Sequence, residues 1–384
     1  MSLPPDASCP PSELDTAPVV SVVVPMRNEI AHLAACLQTL LAQDYPRDAF
    51  EIIVVDGESH DGSREMVERI ARVTPTVRVM SNPKRVIPAA LNLGVRAARG
   101  RIILRADCKA RYARDYVSMC VHYLRTAGAL NVGGPCRSVP GAASAVARCI
   151  AAICTHPLVM GGSRYRTSLD VEEFADGAVY GAWHRELFER IGYFNEALER
   201  GEDNEFNSRI LRAGGRILKT PRIVVHYLCR PTLTSFLRQT FGNGLWHFLT
   251  VAANRSAFRA RYFAPAAWVS WLTTFSLLST LDDAFAVPLA VGVSAYGALL
   301  AWVTAMVLRA HGPTVAACVP MVVSMIFKPV SVVMVFPCAW AVAGLAAARI
   351  AVAIRSRRVT GMWLFLGEVA CRSTDTKQRR GSQP

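Results

Sequence analysis

The chain has 384 residues, 52% of them hydrophobic, with a formal net charge of +14 and a mean hydropathy of +0.25. That is more apolar than a soluble core requires, and the excess is local: from Tyr262 to Ala348 the charged residues are Asp282, Asp283, Arg309 and Lys328 alone, so a polar half precedes a membrane half. The basic residues have no interleaved aromatic platform, which argues against nucleic acid, and the positive charge points instead to phosphate groups or an anionic membrane face.

In chain order, residues 1–17 contain four prolines, no apolar core and no basic cluster, and are expected to be a disordered leader and neither a signal peptide nor an anchor. Residues 19–24 are a β-branched run ended by Pro25, the pattern of a fully buried strand. Between Glu29 and Gln43 the residues Ile30, Leu33, Leu37, Leu40 and Leu41 recur at helical spacing, and 50–55 form a second buried run that ends at Asp56-Gly57. Strand, helix, strand is the unit of a parallel sheet, which binds ligands at the carboxyl ends of its strands. A helix over 63–73, a strand over 77–80 and a helix over 87–98 with Pro88 in its first turn follow, and a fourth strand over 101–106 delivers Asp107. The expected class is α/β, with Asn28, Glu29, Asp56 and Asp107 on one rim.

The eleven cysteines include no C-x-x-C pair, and Cys36, Cys120, Cys318 and Cys338 lie in apolar runs. They read as small buried hydrophobes in a reducing environment, without a disulfide framework or zinc site.

Several motifs occur in order: Val-Val-Pro-Met-Arg-Asn-Glu at 23–29, Gln-Asp-Tyr-Pro at 43–46, Ile-Ile-Val-Val-Asp-Gly-Glu-Ser-His-Asp-Gly-Ser at 52–63 and Leu-Arg-Ala-Asp at 104–107. They continue through Asn-Val-Gly-Gly-Pro at 131–135, the run 180–188, Gly-Glu-Asp-Asn-Glu at 201–205 and residues 230–246. Over roughly 18–250 the chain thereby resembles a family 2 glycosyltransferase of the GT-A fold, of the succinoglycan-biosynthesis type that carries membrane helices after the catalytic domain. The resemblance implies an inverting transferase that moves a sugar from a UDP-sugar to a lipid-linked or growing polysaccharide acceptor at the cytosolic face of the cell membrane. A polyprenyl-phosphate acceptor, or a non-catalytic scaffold of a polysaccharide-synthesis and export complex, are the alternatives.

Carried over residue by residue, the resemblance puts Pro25, Asn28, Glu29 and Asp56 on the base and ribose; Lys84, before the Pro88 helix, is placed to approach phosphate, although an exposed lysine is more often only solvated. It puts Asp107 on the donor and on a divalent cation, Mg²⁺ or Mn²⁺. Lys109 stands where the family presents a second metal ligand; its ammonium cannot ligate while protonated, but its charge can partly replace a cation. His226 is a conceivable further ligand, although a histidine ending a strand is more often structural. Gly133-Gly134 offers either a close approach for the donor or a simple turn. Asp176 and Trp183 map to the acceptor wall, and Trp183 equally suits a core. Glu202 and Asp203 open a helix, where the macrodipole favours carboxylates, and Asp203 takes the family's catalytic base position, with Glu205 the weaker candidate. Arg230, Arg238, Gln239 and Trp246 stand where relatives close over acceptor or diphosphate, but without the family's Gln-x-x-Arg-Trp spacing, and a basic face near lipid headgroups is an equal reading.

The expected organisation is a leader at 1–17, the GT-A domain at 18–235, an amphipathic and basic interfacial segment at 236–261, a membrane region at 262–354 and a basic cytosolic tail at 355–384. Within the membrane region, 262–281 and 284–308 are each long enough to cross, and 312–354 reads as a hairpin broken near Lys328-Pro329 or Phe336-Pro337, against a single third crossing.

Overall fold

The computed structural model describes residues 20–157, 160, 163–258 and 264–312; the leader at 1–17, most of the expected hairpin and the tail at 355–384 lie outside them. Its elements in order are β1 (Val20–Met26), α1 (Ile30–Leu41), β2 (Phe50–Asp56), α2 (Ser63–Val73), β3 (Val77–Ser81), α3 (Ile87–Ala97) and β4 (Ile102–Arg105). Then come β5 (Ala110–Tyr112), α4 (Tyr116–Thr126), β6 (Asn131–Gly134), β7 (Cys136–Val139), α5 (Ala145–Ile153), α6 (Arg164–Thr167), β8 (Glu173–Phe174), β9 (Val179–His184) and α7 (Glu186–Ile191). The remainder is α8 (Glu202–Arg212), β10 (Ile217–Lys219), β11 (Val225–Leu228), α9 (Leu233–Ala253), α10 (Ala264–Leu278) and α11 (Ala286–His311).

Eight strands form one sheet in the order β3-β2-β1-β4-β9-β6-β10-β8, with β9 antiparallel to both of its neighbours. The centre of this sheet is parallel: Val20 pairs with Phe50 and with Ile102, and Met26 with Asp56, so the carboxyl ends of β1 and β2 finish level. Alternate residues serve opposite faces. Val22, Val24, Ile52 and Val54 pack with Leu33, Leu37 and Tyr116, whereas Val23, Ile53 and Val55 pack with Trp183, Phe188, Phe194 and Phe206. Both faces are thus covered, which is why β1 and β2 are continuous apolar runs instead of alternating ones. Gly94 lets α3 lie directly on β1, since a Cβ there would come within 2.3 Å of Val23 Cγ1.

β2 also buries a carboxylate. Glu51 accepts from Ser21 Oγ (2.8 Å), Arg99 N (2.7 Å) and Arg78 Nη1 (2.6 Å). Burial raises its carboxyl, but the Arg99 amide, Arg78 and Ser21 together outweigh that and hold it below the usual carboxylate range.

A second sheet, β5-β11-β7, stands beside the first. Here one expectation changes. Gly133 and Gly134 belong to β6 itself, and Gly134 is small because the chain passes against it: a Cβ would meet the Ile223 carbonyl at 1.9 Å. The close approach is to backbone and not to a ligand.

The expected boundary at 235 falls in the first turn of α9, a 21-residue helix capped by Thr232 and packed on α5 and α8. The segment expected at 262–281 forms a 15-residue helix, α10, only about 22 Å long against an apolar bilayer core of about 30 Å. In the stretch expected at 284–308, Asp283–Ala310 is 28 residues long and apolar enough to cross a membrane. The α10 and α11 pair packs closely at Gly292, where a Cβ would lie 2.1 Å from the Trp271 ring, while Val291, Leu299 and Trp302 point outward. Cys36, Cys108, Cys120, Cys136, Cys154 and Cys229 are buried thiols outside any disulfide, whereas Cys149 departs from the expectation in being disulfide-bonded.

Candidate active site

The site is built at the carboxyl edge of β1, β2 and β4, where three loops carry residues in left-handed backbone: Asn28 (φ 53°), Glu58 (φ 56°) and Arg85 (φ 60°) follow β1, β2 and β3 in turn. Such conformations are uncommon outside glycine and persist where the surroundings fix them. Here hydrogen bonds do so. Asn28 N donates to Ser59 Oγ (2.8 Å), His60 N to Asn28 Oδ1 (3.0 Å), Glu29 N to Ser63 Oγ (2.9 Å) and Ile30 N to Asp61 Oδ2 (3.1 Å), stitching the first two loops together.

Asp56 is fully buried, and its oxygens accept from Ser59 N at 3.2 and 3.3 Å and from Arg64 at 3.4 Å. Its carboxylate shapes the loop after β2 instead of opening onto the rim. Pro25 sits in β1, and its carbonyl accepts weakly from Cys108 Sγ (3.9 Å). Lys84 is ion-paired with Glu196, which is also held by Asn92, so its charge is already answered.

Asp107 is fixed from below and from the side. Its amide donates to Tyr112 Oη at 2.6 Å, and Arg105 grips both carboxylate oxygens, Nε to Oδ1 at 3.0 Å and Nη2 to Oδ2 at 3.3 Å. Arg105 then reaches Glu202 with Nη1 at 2.8 Å. Burial opposes the charge on Arg105, but Asp107, Glu202 and Asp203 hold its pKa well above the ordinary value. Burial raises the Glu202 carboxyl, Arg105 opposes that and Asp203 reinforces it; Glu202 is the inner, structural member of the pair. Asp203 is exposed on the first turn of α8, and Oδ1 accepts from Asn204 N at 2.8 Å. Glu205 is buried against Arg209 (2.9 Å) and Asn254 (2.9 Å), which ties α8 to the end of α9 and removes it from consideration as a base.

Lys109 pairs with Glu29, so the two rim residues neutralise each other. A cation would find one carboxylate here, already held by a guanidinium, and an ammonium at the second ligand position. Among the described residues no group of three or more His, Cys, Asp or Glu side chains could hold a metal ion. Asp107 would therefore hold Mg²⁺ or Mn²⁺ only together with the oxygens of a bound diphosphate. His226 is opposite Arg111 and Arg137 in the small sheet, flanked by cations instead of by ligands.

Trp183 is 4% exposed, its ring edge-on to Phe188, Phe194 and Phe206, so it is core and not an acceptor wall. Asp176 lies half-buried between β8 and β9. Gln239 donates to Tyr227 Oη (3.2 Å) and accepts from Arg230 Nε (3.2 Å), while Arg238 is exposed on α9. Arg105 and Tyr112 join the site without being expected there; the signals for Arg105 are its place in the Leu-Arg-Ala-Asp motif and as the cation that closes an apolar strand run.

Residues 21–192 match the family model described as glycosyl transferase family 2. The chain is 29% identical over 297 residues to the succinoglycan biosynthesis protein ExoA of Rhizobium meliloti, covering 77% of this chain and 88% of that protein. It is 25% identical over 270 residues to the dolichyl N-acetyl-alpha-D-glucosaminyl phosphate 3-beta-D-2,3-diacetamido-2,3-dideoxy-beta-D-glucuronosyltransferase of Methanococcus voltae, covering 68% of this chain and 79% of that protein. In fold it is similar to the mannosyltransferase PcManGT of Pyrobaculum calidifontis, solved with GDP-Man and Mn²⁺, at a TM-score of 0.53 and 21% identity over 84% of this chain and 87% of that one. Motifs, sheet order and relatives agree: residues 21–192 form a domain of the glycosyl transferase family 2 type, and the chain is a transferase of GT-A fold.

Proposed function

We propose that the chain is an inverting glycosyltransferase that moves a sugar from a UDP-sugar to a lipid-linked acceptor or growing polysaccharide at the cytosolic membrane face. The observation that carries this reading is the Asp107–Arg105–Glu202 chain, which fixes the donor rim to the helix that presents Asp203. In the proposed step the acceptor hydroxyl oxygen attacks the anomeric carbon. Its proton passes to the Asp203 carboxylate, the bond from the anomeric carbon to the diphosphate breaks, and UDP leaves with the electron pair. The loops after β1 and β2 receive the nucleoside, with Asn28 and Glu29 at the rim and Asp56 holding the loop beneath. Lys109 shares its charge between Glu29 and the leaving diphosphate.

The relatives support an exopolysaccharide or lipid-linked glycan product, since one is named for succinoglycan biosynthesis and another for transfer to a dolichyl-linked sugar phosphate. The long apolar helix supports residence at a membrane. Incubating membranes that contain the protein with radiolabelled UDP-sugars tests the reading: label should move into an organic-extractable or polymeric fraction, and failure of every UDP-sugar to transfer or to stabilise the protein against heat would refute it.

A further inference from the structure

The small sheet carries charge that the transfer step does not use. In its register His226 of β11 is opposite both Arg111 of β5 and Arg137 of β7, so the three side chains form one row on one face. The row spans two interstrand spacings, about 10 Å. The other face is buried at Tyr112, Val225 and Cys136, and His226 is exposed.

Counter-charge for the row is scarce. Arg111 donates to the carbonyls of Cys108 (3.3 Å) and Ala110 (2.8 Å) and has no carboxylate partner among the described residues. Arg137 meets Asp170 at 3.3 Å, but that carboxylate is 86% exposed, a kind of pair that contributes little. Arg137 Nε is buried without a hydrogen-bond partner, which is costly unless a ligand completes it. Partial burial and then Arg137 hold the His226 imidazole below its ordinary range, so at neutral pH it stands uncharged between the two guanidinium groups.

Two connections place the row. Lys109, two residues before Arg111, ties the same strip to the donor rim through Glu29, and its carbonyl accepts from Leu228 N at 2.9 Å. At that same end of β11, the next residue, Cys229, packs in one cluster with Val303 and Val307, in the last turns of α11. The donor rim and the foot of the helix long enough to cross a membrane thus meet the strip at one end of β11, and the row lies two residues along the strand from that end. Paired guanidinium forks suit phosphate oxygens, which they bind bidentately.

We propose that Arg111, His226 and Arg137 bind the phosphate or diphosphate that joins a lipid-linked acceptor to its lipid. This rests on the transferase reading above and narrows it, because a free polysaccharide acceptor has no use for such a site. The full chain in neutral detergent, probed with radiolabelled undecaprenyl phosphate, provides the test. Wild type should retain the probe, inorganic pyrophosphate should displace it and phosphatidylglycerol should not. Arg111→Gln with Arg137→Gln should weaken retention about tenfold or more while stabilisation by UDP is unchanged. Unchanged retention would overturn the proposal. So would equal loss of UDP stabilisation, which would make the row part of the donor site, or displacement by phosphatidylglycerol, which would make it a general headgroup surface. If the double variant does not fold, the wild-type competition decides alone. Wild type that responds to UDP but retains no lipid phosphate refutes this row and spares the transferase reading; wild type that responds to no UDP-sugar refutes that reading instead.

Discussion

Arg105 and Glu202 are 97 residues apart in the chain and are joined by a 2.8 Å hydrogen bond from Nη1 to Oε1, while the rest of the Arg105 guanidinium grips Asp107. One buried cation thereby makes a single body of the donor rim and the helix that carries Asp203.

Arg105→Met should leave Glu202 buried without its counter-charge and cost about 3–5 kcal/mol, read as a lower urea midpoint. Adding Glu202→Gln should recover much of that loss, because the stranded charge is gone. A single variant as stable as wild type would show that the pair holds nothing together.

Lys109 is the departure from the family's pattern at the rim. Lys109→His removes the ammonium and supplies a ligand, so thermal stabilisation by UDP should depend more on Mn²⁺ than it does in wild type. An unaltered response to Mn²⁺ would place Lys109 away from the phosphates.

Acid stability should depend on Glu51. Its folded pKa lies below the ordinary value of 4.5, so its contribution is present above about that pH and is lost as pH falls through the folded value. Glu51→Gln should therefore lower stability at neutral pH and flatten the decline below about pH 4.5, measured by urea unfolding across pH. An acid limb as steep as that of wild type would contradict the assignment.

Gly201 precedes Glu202 with φ +79°, and a Cβ there would lie 2.6 Å from Thr250 Oγ1 on α9. Gly201→Ala should cost about 1–3 kcal/mol from backbone strain and contact. Thr250→Ala should recover only the contact part. Circular dichroism melts separate the two, and full recovery would mean that the backbone is unstrained.

The central sheet was legible because its strands are β-branched runs bounded by Pro25, Asp56-Gly57 and Asp107, a local pattern that burial on both faces demands. The rim was legible for the same reason: strand ends locate Asn28, Glu29 and Asp107 without knowledge of the fold. What the pattern hid is non-local. Nothing near Arg105 announces Glu202, nothing near Gly134 announces Ile223, and Trp183 shows which face it occupies only once Phe188, Phe194 and Phe206 surround it. The start of α9 is likewise set non-locally, by the Thr232 cap and by packing on α5 and α8.

The most direct test of the proposed chemistry is Asp203→Asn, which keeps the size of the side chain and removes its basicity. Radiolabelled transfer from the UDP-sugar should fall at least about 10²-fold with stabilisation by UDP intact. A variant that transfers at the wild-type rate would contradict Asp203 as the base and, with it, the account of the site.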